Sequence, residues 1–421
     1  MNLQEALDKL YSLHQFGVKL GLEKIEHLLN HIGNPQDKLK CFHIAGSNGK
    51  GSVSSYISSI LIEDGYKVGL YTSPHLVRFN ERIRINGIEV GDEFIAEFMN
   101  RLENYIDEHE PTFFELTTAM AFLYFAQNHV DYAVMETGLG GRLDATNVIK
   151  EPVASVITTI SLEHTNILGD KIEQIAYEKG EIIKPGNKAF IGLVPPEARA
   201  VFDKKCADVK AQEFLLEENL TLNKNYVGLL QGGKKYNLYS TPLRGYHQLQ
   251  NCALSVFTIL NTVGVKNEDS IFRGISNVIK NSGIQCRYEV VSESPRLIFD
   301  SSHNTDGMRT FIDEFKKEEQ RYTKRSVIFG VMRDKDIAGM IKLFDKHFDD
   351  IYAVTFDYER AATIEEIETI SESAGIRVGM LKEPVKFIEE YRKKEAGECL
   401  VVIGSIYLLG YLKTELEQKS A

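Results

Sequence analysis

The residues best placed to do chemistry lie in Gly46-Ser47-Asn48-Gly49-Lys50-Gly51-Ser52, directly after the apolar run Cys41-Phe42-His43-Ile44-Ala45. Glycines let backbone N–H groups converge on an anion, a following helix turns its positive end toward it, and a lysine adds a full charge. Val53, Tyr56, Ile57, Ile60 and Leu61 fall at i, i+3, i+4, i+7 and i+8, which predicts a helix with one buried face after the loop. Strand, glycine turn, lysine and helix in that order suit the phosphates of a nucleoside triphosphate. A standard phosphate loop sets Ser or Thr directly after the lysine; here Gly51 intervenes, so Ser52 is the expected metal-side hydroxyl. A bare glycine-rich turn is the competing reading.

Further candidates sit where later strands end. Asp131-Tyr132-Ala133-Val134-Met135 predicts a buried strand that delivers Glu136 to the carboxyl edge of a sheet, where open α/β sheets bind ligands. A carboxylate there suits Mg²⁺, which takes oxygen ligands and shares them with phosphates. Ser73, in Tyr71-Thr72-Ser73-Pro74-His75, and His164, in Ser161-Leu162-Glu163-His164, end two more strands. A histidine after a strand is usually an ordinary loop residue. Convergence with three other strand ends makes this one a candidate.

The elements that must position these groups alternate. Strands at 40–45, 67–72, 131–136, 153–159 and 188–194, with helices at 51–63, 113–128 and 171–183, predict a parallel sheet wrapped by helices. Short alternating runs around 213–240, broken by Gly232-Gly233, predict a small antiparallel hairpin appended to that sheet. Helices at 247–263 and 268–280 close the first domain. After Cys286-Arg287-Tyr288 a second α/β series, from a strand at 296–300 to a helix at 405–417, predicts a separate, smaller doubly wound unit. The boundary falls between 1–285 and 286–421.

Composition narrows the class. At 421 residues two domains are expected. No run approaches the ~18 apolar residues of a membrane helix, and Met1-Asn2-Leu3-Gln4-Glu5 lacks the basic start of a secretory signal. A cytoplasmic protein without a membrane partner is expected. Forty-nine Lys and Arg against 60 Asp and Glu give a net charge of −11, and with no basic stripe this speaks against nucleic acid. The five cysteines Cys41, Cys206, Cys252, Cys286 and Cys399 contain no C-x-x-C pair, which predicts reduced, mostly buried thiols.

The loop Gly46 to Ser52, Thr72-Ser73-Pro74-His75-Leu76-Val77-Arg78-Phe79-Asn80-Glu81-Arg82-Ile83, Gly138 to Asn147, Glu178-Lys179, and Asp300-Ser301-Ser302-His303-Asn304 together resemble folylpolyglutamate synthases. These enzymes, often bifunctional with dihydrofolate synthase, belong to the Mur ligase superfamily, and the likeness runs over essentially the whole chain. It implies an N-terminal P-loop ATPase domain and a smaller Rossmann-like glutamate ligase domain. It also implies a monomer that uses ATP to join L-glutamate to the γ-carboxylate of a reduced folate through an acyl phosphate; whether dihydropteroate is a further acceptor stays open.

Residue by residue, the resemblance implies ATP contacts from Gly46, Ser47, Asn48, Gly49, Lys50, Gly51 and Ser52, with Gln248, Asn251, Arg287 and Asp300. Two Mg²⁺ ions would be held by Ser52, Ser73, Glu136, His164 and Lys179, the lysine carbamylated so that a repelling ammonium becomes a ligating anion. Lys50, His164, Lys179, Asp300 and His303 are the implied catalytic set. Arg82, Phe114, Arg142 and Asp144 resemble a pterin pocket, where an apolar wall takes the flat ring and a carboxylate its N–H groups. The chain departs from the family pattern at Gly180 and Glu181, at Ser301-Ser302, and at Thr305 in place of proline. Asp334-Lys335-Asp336 is either a family motif or a solvated turn. Two other readings stay open: a cell-wall Mur ligase, which usually carries an added N-terminal nucleotide domain and lacks the Asn80-Glu81-Arg82 loop, and a nucleotide-switched binding protein, whose Asn-Lys-x-Asp guanine signature is absent here.

Overall fold

Every residue of the strand Cys41–Ala45 is buried, because it lies inside an eight-stranded sheet with parallel partners on both sides. In the computed structural model, which describes residues 1–13, 21–224, 226–394 and 396–419, the order is Ile88–Glu89, Ile83–Ile85, Val68–Tyr71, Tyr132–Glu136, Cys41–Ala45, Ala154–Ile157, Lys188–Ile191, Gln212–Leu215. Ile83–Ile85 and Ile88–Glu89 run antiparallel at one edge; the other strands are parallel. Register pairs Ile44 with Glu136, Ala45 with Ile157 and Tyr71 with Met135, so four strands end together at one edge.

The helix after the loop, Lys50–Glu63, buries every residue from Ser52 to Leu61 rather than one face. It is covered by the sheet on one side and by the helices Asp269–Ser276 and Val278–Ser282 on the other. Its serines make this possible, being small, and Ser59 Oγ donates to the Gly274 carbonyl at 2.6 Å. A Cβ at Gly274 would lie 2.4 Å from the Ile60 Cα, so the two backbones touch. The single helix expected at 268–280 is these two short ones, and Asn277 and Asn281 both donate to Glu63 Oε1, at 2.8 and 3.0 Å.

The expected antiparallel hairpin around Gly232-Gly233 is present, but it does not join the large sheet. Gln212–Leu215 extends the large sheet, but Leu220–Leu222, Val227–Gln231 and Lys234–Leu238 form a separate antiparallel sheet. Its Gly232-Gly233 turn has φ of 58° and 77°, the sign a tight hairpin requires.

The chain divides into two units. The second comprises Gln285–Ala421 with two excursions, Leu76–Arg78 and Leu243–Gln248, that sequence reasoning did not foresee. Its six-stranded sheet runs Glu289–Glu293, Arg296–Asp300, Glu398–Gly404, Lys324–Gly330, Asp350–Ala353, Gly379–Met380, antiparallel only at the first pair. All five cysteines are buried and unpaired. Among the described residues no helix is long and apolar enough to cross a membrane.

Candidate active site

The glycine loop is held from one side by the segment after the strand Ala154–Ile157. Ser47 N–H donates to the Thr159 carbonyl at 2.8 Å, Asn48 N–H to Thr159 Oγ1 at 3.2 Å, and Thr158 Oγ1 to the Asn48 carbonyl at 2.6 Å. Gly49, with φ 86°, begins the helix, and no side chain caps it. An uncapped N-terminus with its dipole is a seat for an anion. A Cβ on Gly46 would lie 1.9 Å from Thr158 Oγ1. Gly46→Ala is therefore expected to lower stability by ~1–3 kcal/mol, the usual range for forced overpacking, and to weaken nucleotide binding. Thermal denaturation with and without ATP checks this, and an unchanged ATP-induced shift in the variant would show that the strapped conformation is not required.

Two lysines converge on one carbonyl of this loop. Lys50 Nζ donates to the Gly46 carbonyl at 2.9 Å and to that of Ser47 at 3.3 Å. Lys179 Nζ reaches the same Gly46 oxygen at 3.0 Å and pairs with Glu163 Oε1 at 2.8 Å. The Lys179 and Glu163 side chains are only 2% and 4% exposed. Burial pushes the Glu163 carboxyl up, but Lys179, Lys50 and His164 outweigh it and bring it down to about 2. Burial and the charge of Lys50 lower Lys179 against the pull of Glu163. A buried ion pair is therefore built into the floor of the phosphate loop.

The other metal-side candidates follow from the strand ends. Glu136 is buried at the end of its strand, and Ser73 N–H points to its Oε2 at 3.4 Å. Ser52 is buried in the first turn of the helix, and His164, in a left-handed conformation, starts the short helix Thr165–Leu168. Among the described residues no three His, Cys, Asp or Glu side chains gather into a cage. Sparse carboxylate and hydroxyl donors fit a divalent ion that takes part of its shell from nucleotide phosphates and water.

The four pterin-pocket candidates are engaged differently. Arg82 is buried, donates through Nε to His75 Nδ1 at 2.7 Å, and lies 5.1 Å from the Phe113 ring centre, on which Tyr11 stacks at 5.9 Å. The Phe114 ring fills the place a Gly138 Cβ would need, 2.5 Å from a ring carbon. Arg142 forks onto the Glu178 carboxylate at 3.0–3.2 Å, and its N–H donates to the Glu178 carbonyl at 2.8 Å. Asp144 accepts four bonds from its own loop: Gly138 N–H and Leu139 N–H at 2.8 Å each, Thr146 N–H at 3.0 Å and Thr146 Oγ1 at 2.6 Å. In this structure Asp144 shapes the turn. The buried Tyr71 phenol feels the charges of Arg82, Asp144 and Glu136, which groups pterin-side and metal-side candidates around one ring.

Asn251 stands at the phosphate loop, its amide 2.7 Å from where a Gly49 Cβ would be. In the second unit, Gln248 is buried, and Arg287 Nη1 donates to the Ser301 hydroxyl. Asp300 accepts Tyr288 N–H at 2.7 Å and Ser302 N–H at 2.9 Å, and burial raises its carboxyl. His303 Nδ1 donates to the Ser301 carbonyl at 2.9 Å, and Asn304 caps the next helix through Gly307 N–H at 2.7 Å. Asp336 caps the helix Ile337–Phe344, while Asp334 pairs with Arg360, so Asp334-Lys335-Asp336 forms a capped turn.

The chain that carries this strapped phosphate loop matches known proteins over nearly its whole length. The Mur ligase middle domain model covers residues 44–259 and the Mur ligase glutamate ligase domain model residues 286–406. The dihydrofolate synthase/folylpolyglutamate synthase of Bacillus subtilis is 36% identical, over 98% of this chain and 99% of that one. The chain belongs to this Mur ligase family. As a member it is an ATP-dependent ligase. The Escherichia coli dihydrofolate synthase/folylpolyglutamate synthase is 33% identical over 86% of this chain and 83% of its own. A structure of E. coli FolC in complex with DHPP and ADP superposes with a TM-score of 0.87 at 28% identity, covering 100% and 99% of the two chains. A Yersinia pestis bifunctional folylpolyglutamate synthase/dihydrofolate synthase with AMPPNP and Mn ion gives 0.85 at 27% identity, over 99% and 98%.

One residue of the ligase escaped sequence reasoning. Glu163 stands next to the histidine that drew attention, and only its pairing with Lys179, sixteen positions on, reveals it. A carboxylate directly before a strand-end histidine, in a loop that also straps the phosphate turn, was the available signal.

Proposed function

We propose that this ligase uses ATP to join L-glutamate to the γ-carboxylate of a reduced monoglutamyl folate, and that it also accepts dihydropteroate. What carries the reading is the strapped phosphate loop in a chain matched end to end by enzymes named for these two reactions. A carboxylate is a poor electrophile, so the γ-phosphoryl group of ATP is first transferred to it, giving an acyl phosphate and ADP. The glutamate amine then attacks the acyl carbon, phosphate leaves, and an amide remains. Lys50 and the N–H groups at the uncapped start of the helix Lys50–Glu63 hold the phosphates in place, which is most of what phosphoryl transfer asks of a protein. A divalent ion, when bound, neutralises phosphate charge; Ser52, Ser73 and Glu136 would hold one Mg²⁺, and Glu136, His164 and Lys179 a second.

Lys179 is proposed to act as a carbamate, formed when its neutral amine attacks CO₂ and releases a proton. Carbamylation gives up the ion pair with Glu163, and the burial and Lys50 charge that lower the proton affinity of Lys179 support that exchange. Asp300 and His303 are proposed to act from the second unit, with Gln248, Asn251 and Arg287 on the nucleotide, while Arg82, Phe114, Arg142 and the turn set by Asp144 receive the pterin. The domains are proposed as 1–285 and 286–421, and the protein as a cytoplasmic monomer, for which five unpaired thiols suit a reducing compartment.

The test is a panel of acceptors with ATP, Mg²⁺ and glutamate, scored for ADP. Reduced monoglutamyl folate and dihydropteroate should each support glutamate-dependent turnover. A uridine-nucleotide peptide should not, and turnover with that peptide alone would replace this reading with a cell-wall ligase.

A further inference from the structure

His43 lies in the strand that leads into the phosphate loop, yet its side chain serves another loop. The ring is fully buried, and Nε2 stands 2.8 Å from Thr146 Oγ1. Thr146 Oγ1 is 2.6 Å from Asp144 Oδ1, and Asp144 Oδ2 receives the Gly138 and Leu139 N–H groups.

The direction of each proton follows from the inventory of donors. Asp144 only accepts, taking four bonds. The Thr146 hydroxyl has one proton and gives it to Asp144, so its oxygen can only accept from His43. The ring must therefore carry hydrogen on Nε2. Its Nδ1 has no hydrogen-bond partner among the described residues; a bare lone pair is tolerated there better than an orphaned N–H. Burial, with Lys184 nearby, pushes the imidazole down to about 3 and keeps it neutral.

We propose that His43 is a positioning residue for the acceptor substrate, acting through Thr146 and Asp144 to fix the Gly138-Leu139 turn. That turn places Gly138 against the Phe114 ring and leads directly to Arg142. The identity of the acceptor rests on the folate reading above; the relay itself does not.

Thr146→Val removes the hydroxyl and keeps the shape. It should raise KM for the folate acceptor about tenfold, the effect of breaking a buried hydrogen-bond relay, and leave KM for ATP within about twofold. Thr146→Ser, which keeps the hydroxyl, should restore the acceptor KM. His43→Leu, which fills the space without a donor, should repeat the split if the valine variant fails to fold. Nitrogen-15 spectra of the wild type, with the His43 signals assigned by their loss in His43→Leu, should show that ring neutral and protonated on Nε2 down to about pH 5, as the buried His247 also stays neutral there. An Nδ1–H or charged ring, an unchanged acceptor KM, equal losses for ATP and acceptor, or a serine variant as impaired as the valine one would each overturn the proposal. If the wild type turns over no folate at all, the folate reading fails while the spectrum still decides the relay.

Discussion

Lys50→Ala is expected to cut ADP formation by about 10³-fold or more while leaving the fold intact. Removing one preorganised group that meets developing charge typically costs 10²–10³ in rate, and Lys50 supplies the full positive charge within the loop itself. Its cost to stability should be small, because the side chain is only partly buried and donates to two carbonyls of its own loop. The Lys179 bond to the same Gly46 oxygen does not involve Lys50 and should persist in the variant. ADP release, nucleotide titration calorimetry and thermal denaturation together separate the two effects. A folded variant within tenfold of wild-type turnover would remove the lysine from the mechanism.

Lys179 has the second large effect, of a different kind. Lys179→Ala leaves the Glu163 carboxylate buried without its partner, which costs ~3–5 kcal/mol, and activity should vanish. Acetate should restore part of it by supplying the missing carboxylate. Because instability alone could silence the enzyme, the decisive comparison is the double variant Lys179→Met, Glu163→Gln, in which no charge is left stranded. Stability should return toward wild type, since neutral replacement of a buried pair is often harmless, while turnover should stay absent. An active double variant would reduce the pair to a structural role, and an active wild type carrying only the free amine would exclude the carbamate.

What the sequence disclosed and what it hid divide along the range of the interactions. The phosphate loop is legible because all its parts are consecutive: a strand, two turning glycines, a lysine and a helix. The helices Glu23–His31 and Pro196–Val209 went unread. The latter carries Pro at its start, but only Ala198, Phe202 and Cys206 mark its buried side, too thin a stripe among charged residues. The helix Lys50–Glu63 was read as one-faced because its serines look polar, yet they are buried, Ser59 against Gly274. Glu163 and Asp144 have roles set by distant or self-directed bonds. No spacing rule distinguishes a carboxylate that will meet Lys179, or fold back on four donors of its own turn, from one that will meet a substrate.

The strapped loop also bears on how the nucleotide arrives. Ser47 and Asn48 are already fixed by Thr159, Thr158 and Ser161 before any ligand is considered. The conformational freedom of those residues is lost on folding, at ~1–2 kcal/mol each, and is not charged again on binding. Ser47 and Asn48 thus meet the phosphates already ordered, and the affinity of the cradle is spared that part of the binding entropy.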